Sequence, residues 1–221
     1  ALLLQFYCVN ILLLVFYGFW YATLKDIQAG SKRMVMAKDK AFSDLSFNEV
    51  VSYYSDLRKI LYEEINVMYP WFKCGAIGHS DAIQADGWRL LDKNPDRTEW
   101  RWVDAYSVYN RKNTFKRFDL CIKNGNNVVG LSYGLPTVSR SSLKIDIIEA
   151  TPYERHKKDV KVFELVSRAA QYYAVLLGAD EVRIMNPLSK HLADYYCSFG
   201  YEYVEPKTKR MGVYCSMKIG V

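Results

Sequence analysis

The sequence has no C-x-x-C pair, no Lys/Arg block of the kind that forms a nucleic-acid arm, no internal repeat and no low-complexity tract. Five cysteines (Cys8, Cys74, Cys121, Cys197, Cys215) are scattered and odd in number. Neither a zinc ribbon nor a disulfide framework is expected from them, and a reducing compartment is the simpler setting. Three isolated histidines (His79, His156, His191) read as surface or packing residues, so no metal is expected. The net charge of +6 is spread along the chain. It favours anionic partners in a general way, and without a recognition motif it implies no specific nucleic acid. A chain of 221 residues, 50% hydrophobic and 24% charged, suits one well-buried domain.

Charge is also missing from residues 1–24, ALLLQFYCVNILLLVFYGFWYATL. As a helix rising 1.5 Å per residue, this run would be about 36 Å long, enough to cross a hydrocarbon core of about 30 Å. Phe19, Trp20 and Tyr21 sit near its end like an interfacial belt, and Lys25, Lys32, Arg33, Lys38 and Lys40 follow. The expectation is a transmembrane anchor with the rest of the chain on the cytoplasmic, reducing side. The other reading is a buried core helix or a helix that docks on a protein partner.

Residues 25–31 form a polar linker around Gly30, and 33–42 is a candidate first strand. Ser46 and Glu49 have the spacing of a capping box. Apolar residues from Val50 to Ile65 then recur at helical intervals, predicting a helix over about 47–67. The stretch 69–114 holds Trp71, Trp88, Trp100 and Trp102 among glycines and prolines. It reads as short helices and loops, with a strand near 100–109, and its aromatics either pack or line a pocket.

Beyond 115 the pattern is plainer. FKRFDLCIK and NVVGLSYGL flank Asn124-Gly125, a strong hairpin signal. LKIDIIEA (143–150) alternates like a strand, and a helix over about 160–177 stops at Gly178. DEVRIM is a strand, Pro187–Ser198 a helix ended by Gly200, and YEYVE with GVYCSMKI a closing hairpin.

This order of elements resembles the GNAT superfamily, the acyl-CoA-dependent N-acyltransferases. The resemblance covers 32–221 and is most specific over 143–204, where Gly178-Ala179 ends the long helix and YYCSFGY matches the family's Tyr-x-x-x-Gly-Phe helix end. It implies an α+β fold: a mixed, mostly antiparallel central sheet flanked by helices in three layers, here preceded by the hydrophobic N-terminal helix. It also implies acetyl-CoA or another acyl-CoA as cofactor. Tyr196 lies on the family's tyrosine, which protonates the leaving thiolate. Its other reading is a helix residue packed under the sheet. A strand carboxylate would take the amine's proton. Glu149 and Asp146 are the candidates, three apart and therefore expected on opposite faces, with Glu149 preferred for its place at the strand's end.

The family's diphosphate loop, [RQ]-x-x-G-x-[GA], falls on 158–163. The resemblance makes Lys158, Val160, Lys161 and Phe163 its cofactor-binding residues, with Asn186 and Ser189 at the next helix start. Lys161 and Phe163 replace small residues, and a side chain obstructs backbone approach to phosphate. Arg155, His156, Lys157, Lys158 and Lys161 offer cations in exchange, or form an ordinary solvated face. Two functions are therefore open: a membrane-tethered N-acyltransferase, and an inactive GNAT-fold subunit docked in a membrane or virion assembly.

Overall fold

The computed structural model describes residues 45–90, 100–111, 114–152, 162–206 and 212–220. The hydrophobic run 1–24, the linker 25–31 and the candidate strand at 33–42 lie outside them. Among the described residues, no helix is long and apolar enough to cross a membrane.

Helix α1 (Phe47–Met68) buries Tyr54, Leu57, Leu61 and Ile65, a stripe with three- and four-residue steps. Strand β1 (Lys73–Gly75), helix α2 (His79–Asp86), a 3-10 turn (Gly87–Leu90) and helix α3 (Trp102–Tyr109) follow. The strand expected near 100–109 is therefore a helix. Asp86, at the end of α2, accepts the backbone N–H of Trp102 at 2.5 Å and of Val103 at 3.4 Å. These are first-turn amides that a helix leaves unpaired. A carboxylate sixteen residues away starts α3, whereas the local Trp, Val and Tyr content reads as strand.

The expected hairpin is present as β2 (Phe118–Asn124) and β3 (Asn127–Pro136), with Gly125 at φ 59° in its turn. Strand β4 (Ser142–Ala150), helix α4 (Val162–Leu177) and strand β5 (Glu181–Met185) come next, and Gly178 ends α4 at φ 66°. Helix α5 (Lys190–Cys197) begins three residues later than Pro187, because Ser189 caps it by accepting the Leu192 amide at 3.2 Å. Strands β6 (Glu202–Val204) and β7 (Tyr214–Lys218) close the chain as an antiparallel pair.

The seven strands form one sheet in the order β1-β2-β3-β4-β5-β7-β6. Among the described strands only β4 and β5 run parallel, and α4 lies between them in the chain. On one face Phe118 of β2 meets Tyr173 of α4. On the other, Cys121, Leu131, Tyr133 and Ile147 pack under Ala82, Ala85, Trp88 and Trp102 from α2, the 3-10 turn and α3. The architecture is α+β, a mostly antiparallel sheet flanked by helices.

Strand β4 is irregular in two ways. Tyr133 pairs with Ile147 but Gly134 pairs with Ile145, so Asp146 is an extra residue with no cross-strand partner. Gly134 permits this: a Cβ there would lie 2.3 Å from the Lys144 carbonyl oxygen. Pairing with β5 also stops early. It ends at Ile145 with Ile184, while β4 runs on to Ala150.

Candidate active site

Where β4 continues alone, a cleft of roughly 280 Å³ opens beside β5. Its floor and walls are Ile145 to Glu149, Ile184 to Leu188, Leu192, Tyr196 and Trp100. Every backbone group of an extended strand seeks a partner. The stretch 146–150 has one on its β3 side for most residues and none from β5, so its other edge faces the cleft.

The bulge corrects the expectation that Asp146 and Glu149 face opposite ways. Ile147 belongs to the α2/α3 face, and Glu149, two residues on, shares it. Both indole N–H groups of the neighbouring tryptophans donate to Glu149 Oε2, Trp102 at 2.5 Å and Trp100 at 3.3 Å. The extra residue turns Asp146 to that face as well, where Tyr109 of α3 donates its hydroxyl to Oδ2 at 2.8 Å. Tyr109 in turn stacks on Tyr133 with ring centroids 4.5 Å apart. Two carboxylates three positions apart are thus held by one helix. Burial raises the pKa of Asp146 above the ordinary aspartate value, and the Tyr109 hydrogen bond and Lys144 only partly oppose it.

Tyr196, on α5, lines the opposite wall and is 7% exposed. Burial, with Cys215 and two tyrosines nearby, pushes its phenol well above the usual tyrosine range. It is therefore protonated at any physiological pH. Asn186 lines the rim at φ 47°, a left-handed conformation that asparagine tolerates, and its amide donates to the Val213 carbonyl at 2.8 Å.

Neither a protein-family model nor a curated protein matches the sequence. Solved structures do match the fold. An acetyltransferase of the GNAT family from Staphylococcus aureus superposes with a TM-score of 0.51 at 11% identity, covering 67% of this chain and 99% of that one. The chain has the GNAT fold. Ard1 from Thermoplasma volcanium (TM-score 0.49, 11% identity, 68% and 99% covered) is also similar. So is the ribosomal-protein-S18-alanine N-acetyltransferase from Escherichia coli (0.49, 10% identity, 68% and 95% covered).

Of the residues that the GNAT resemblance singles out, the structure brings Tyr196, Glu149 and Asn186 to one cleft. Lys158, Val160 and Lys161 lie outside the described residues. Ser189 caps α5 and does not line the cleft. Phe163 is buried in the first turn of α4, where it packs on Tyr195, Tyr196, Phe199 and Tyr201. Its ring is thus absorbed by α5 and does not plug the cleft. Of the aromatics in 69–114 that the sequence leaves as packing or pocket-lining, Trp100 lines the cleft and Trp102 is buried in the core. Tyr109 is not singled out by the sequence.

The cleft fits the middle of an acyl-CoA. The open β4 edge offers peptide groups to an amide-bearing arm, and the apolar side chains of Ile145, Ile184 and Leu192 flank it.

Proposed function

We propose that the chain is an N-acyltransferase that moves an acyl group, acetyl in the simplest case, from acyl-CoA to an amine. The observation that carries this reading is the placement of Tyr196 and Asp146 in the cleft that the open edge of β4 creates. A thioester bound there supplies an activated acyl carbon and a thiolate leaving group. The attacking nitrogen must shed a proton, and the sulfur must be stabilised as the C–S bond breaks.

Asp146 is the better base of the two carboxylates. Its pKa is raised by burial, and one neutral phenol holds it in place. Glu149 is fixed against two indole donors and serves to position Trp100 and α3. Tyr196 keeps its proton and can donate it, or a hydrogen bond, to the sulfur. Residues 1–24 anchor this domain to a membrane, with the catalytic part on the cytoplasmic side, and the tether raises its local concentration near membrane-linked acceptors.

Phe163 favours a second reading. A buried ring stands where the family's loop has a small residue, as in a GNAT fold kept as a docking subunit of an assembly. Calorimetry separates the two. Full-length protein in detergent should bind acetyl-CoA, and Tyr196→Phe should keep that affinity while losing turnover. No heat at millimolar acetyl-CoA would remove the transferase and leave the scaffold.

A further inference from the structure

We infer that Cys197 and Cys215 form an oxidisable dithiol, which hydrogen peroxide or a small disulfide closes into a covalent strap between α5 and β7. The strap ties down the helix that carries Tyr196. This goes beyond the transferase reading and does not depend on it.

The two sulfurs come from different elements and meet at one helix turn. Cys215 lies on β7, paired with Ile184 of β5 and Tyr203 of β6, and is fully buried. Its thiol is directed at α5, where it donates to the Ala193 carbonyl at 4.0 Å. Cys197 follows Ala193 by four residues, one turn along the same face. A helical Cβ tilts toward the N-terminus, so the Cys197 side chain leans back over that turn. The two thiols accordingly lie within hydrogen-bonding reach of each other, and neither is in a disulfide. The other two described cysteines are placed differently. Cys74 pairs with Ile122 and Cys121 with Gly75, so the two sulfurs point to opposite faces of the sheet.

Exposure divides the roles. Cys197 is partly exposed and meets the oxidant first. Its thiolate attacks one peroxide oxygen, the O–O bond breaks, and hydroxide leaves as Cys197 becomes a sulfenic acid. The Cys215 sulfur then attacks the Cys197 sulfur. The S–S bond forms, the S–O bond breaks, and the departing hydroxide takes the Cys215 proton and leaves as water. Two thiols lose two electrons and two protons, and peroxide becomes two waters. A small disulfide reaches the same product through a mixed disulfide and releases two small thiols. Burial pushes the Cys215 thiol up to about 11, which keeps it protonated until a sulfenic acid stands beside it. A reducing setting holds the pair open, and a passing oxidant closes it. Closure brings the sulfurs to about 2.05 Å and pins the last turn of α5. Tyr196 precedes Cys197 and has Cys215 among its neighbours, so the strap holds one wall of the cleft.

The test oxidises full-length protein in detergent with hydrogen peroxide, blocks the remaining thiols with N-ethylmaleimide, and maps the digest by mass spectrometry. A peptide linking Cys197 to Cys215 should dominate, and dithiothreitol should remove it. Amides 193–197 should exchange with deuterium about tenfold or more slowly in the oxidised protein than in the reduced one. In Cys215→Ser, dimedone should trap Cys197 as its sulfenic acid. In Cys197→Ser, Cys215 should stay unlabelled. The inference is overturned if Cys197 stays a thiol, if it oxidises without forming the linked peptide, or if exchange over 193–197 is unchanged. Labelling of Cys215 in Cys197→Ser as fast as that of Cys197 in Cys215→Ser overturns the order of attack and the inference with it. No readout uses acetyl-CoA, so failure of the transferase reading leaves this test standing.

Discussion

Phe163 lies against Tyr196 with ring centroids 4.5 Å apart and planes 27° from parallel. The pair joins the first turn of α4 to the face of α5 that lines the cleft, so one ring packs behind another for which we propose a chemical role. The two roles separate by mutation. Tyr196→Phe keeps the stack and loses only the hydroxyl. It should leave the urea midpoint near wild type and lower turnover by about a hundredfold or more, the usual worth of a positioned acid. Phe163→Ala empties a buried site and should cost about 3–5 kcal/mol of stability, read from the same urea melts.

Gly134 decides where the bulge sits. A methyl group there would come within 2.3 Å of a β4 backbone oxygen, which cannot rotate away. Gly134→Ala should therefore destabilise by about 1–3 kcal/mol and loosen the β3–β4 register. Amides of 145–149 should exchange faster with deuterium than in wild type. Gly75→Ala is the control, since a Cβ there meets nothing within 4 Å. Equal effects of the two substitutions would refute the steric argument.

Glu181 gives the stability a pH dependence. Burial alone would raise its pKa, but hydrogen bonds from Ser216, Arg183 and Ser142 outweigh it and hold the value at about 2, below the ordinary 4.5. A depressed carboxylate stabilises the fold above its unfolded value and loses that contribution as pH falls from about 4.5 toward 2. Asp146 has the opposite sign. Its raised value destabilises the fold once it ionises, so its share of stability falls as pH rises through the ordinary aspartate range. In urea titrations the gap between wild type and Glu181→Gln should be widest above pH 5 and narrow toward pH 2. A gap that is constant with pH would show that the hydrogen bonds act without the charge.

What the sequence reveals is what depends on near neighbours. Asn124-Gly125 marks its own turn, Gly178 its own helix stop, and the alternation of 143–150 its own strand. The site depends on contacts far apart in the chain. The start of α3 depends on Asp86, sixteen residues before Trp102. The face of Asp146 depends on Gly134 in the next strand. The hydrogen bond from Trp100 to Glu149 spans 49 residues. Counting by twos along β4 is sound for a regular strand and fails at one extra residue, which no letter of LKIDIIEA announces. Tyr196 is legible because a helix end carries its own glycine.

The buried ion pair between Arg58 and Asp119 offers a last test, away from the cleft. Asp119 is fully buried, with Arg58 Nε at 3.5 Å and the Tyr62 hydroxyl donating at 2.9 Å to the same oxygen. Arg58 also donates from Nη1 to the Phe115 carbonyl at 2.7 Å, tying α1 to the turn before β2. The second Asp119 oxygen and Arg117 Nε face each other at 3.6 Å, and neither makes a hydrogen bond among the described residues. Asp119 thus leans on Arg58 for its charge. Arg58→Ala would leave a buried carboxylate with a single poorly placed cation and should cost about 3–5 kcal/mol. Arg58→Ala with Asp119→Ala should cost less than Arg58→Ala alone, since the stranded charge goes with its partner. A double mutant less stable than the single one would mean that Arg58 acts through the Phe115 carbonyl and not through Asp119.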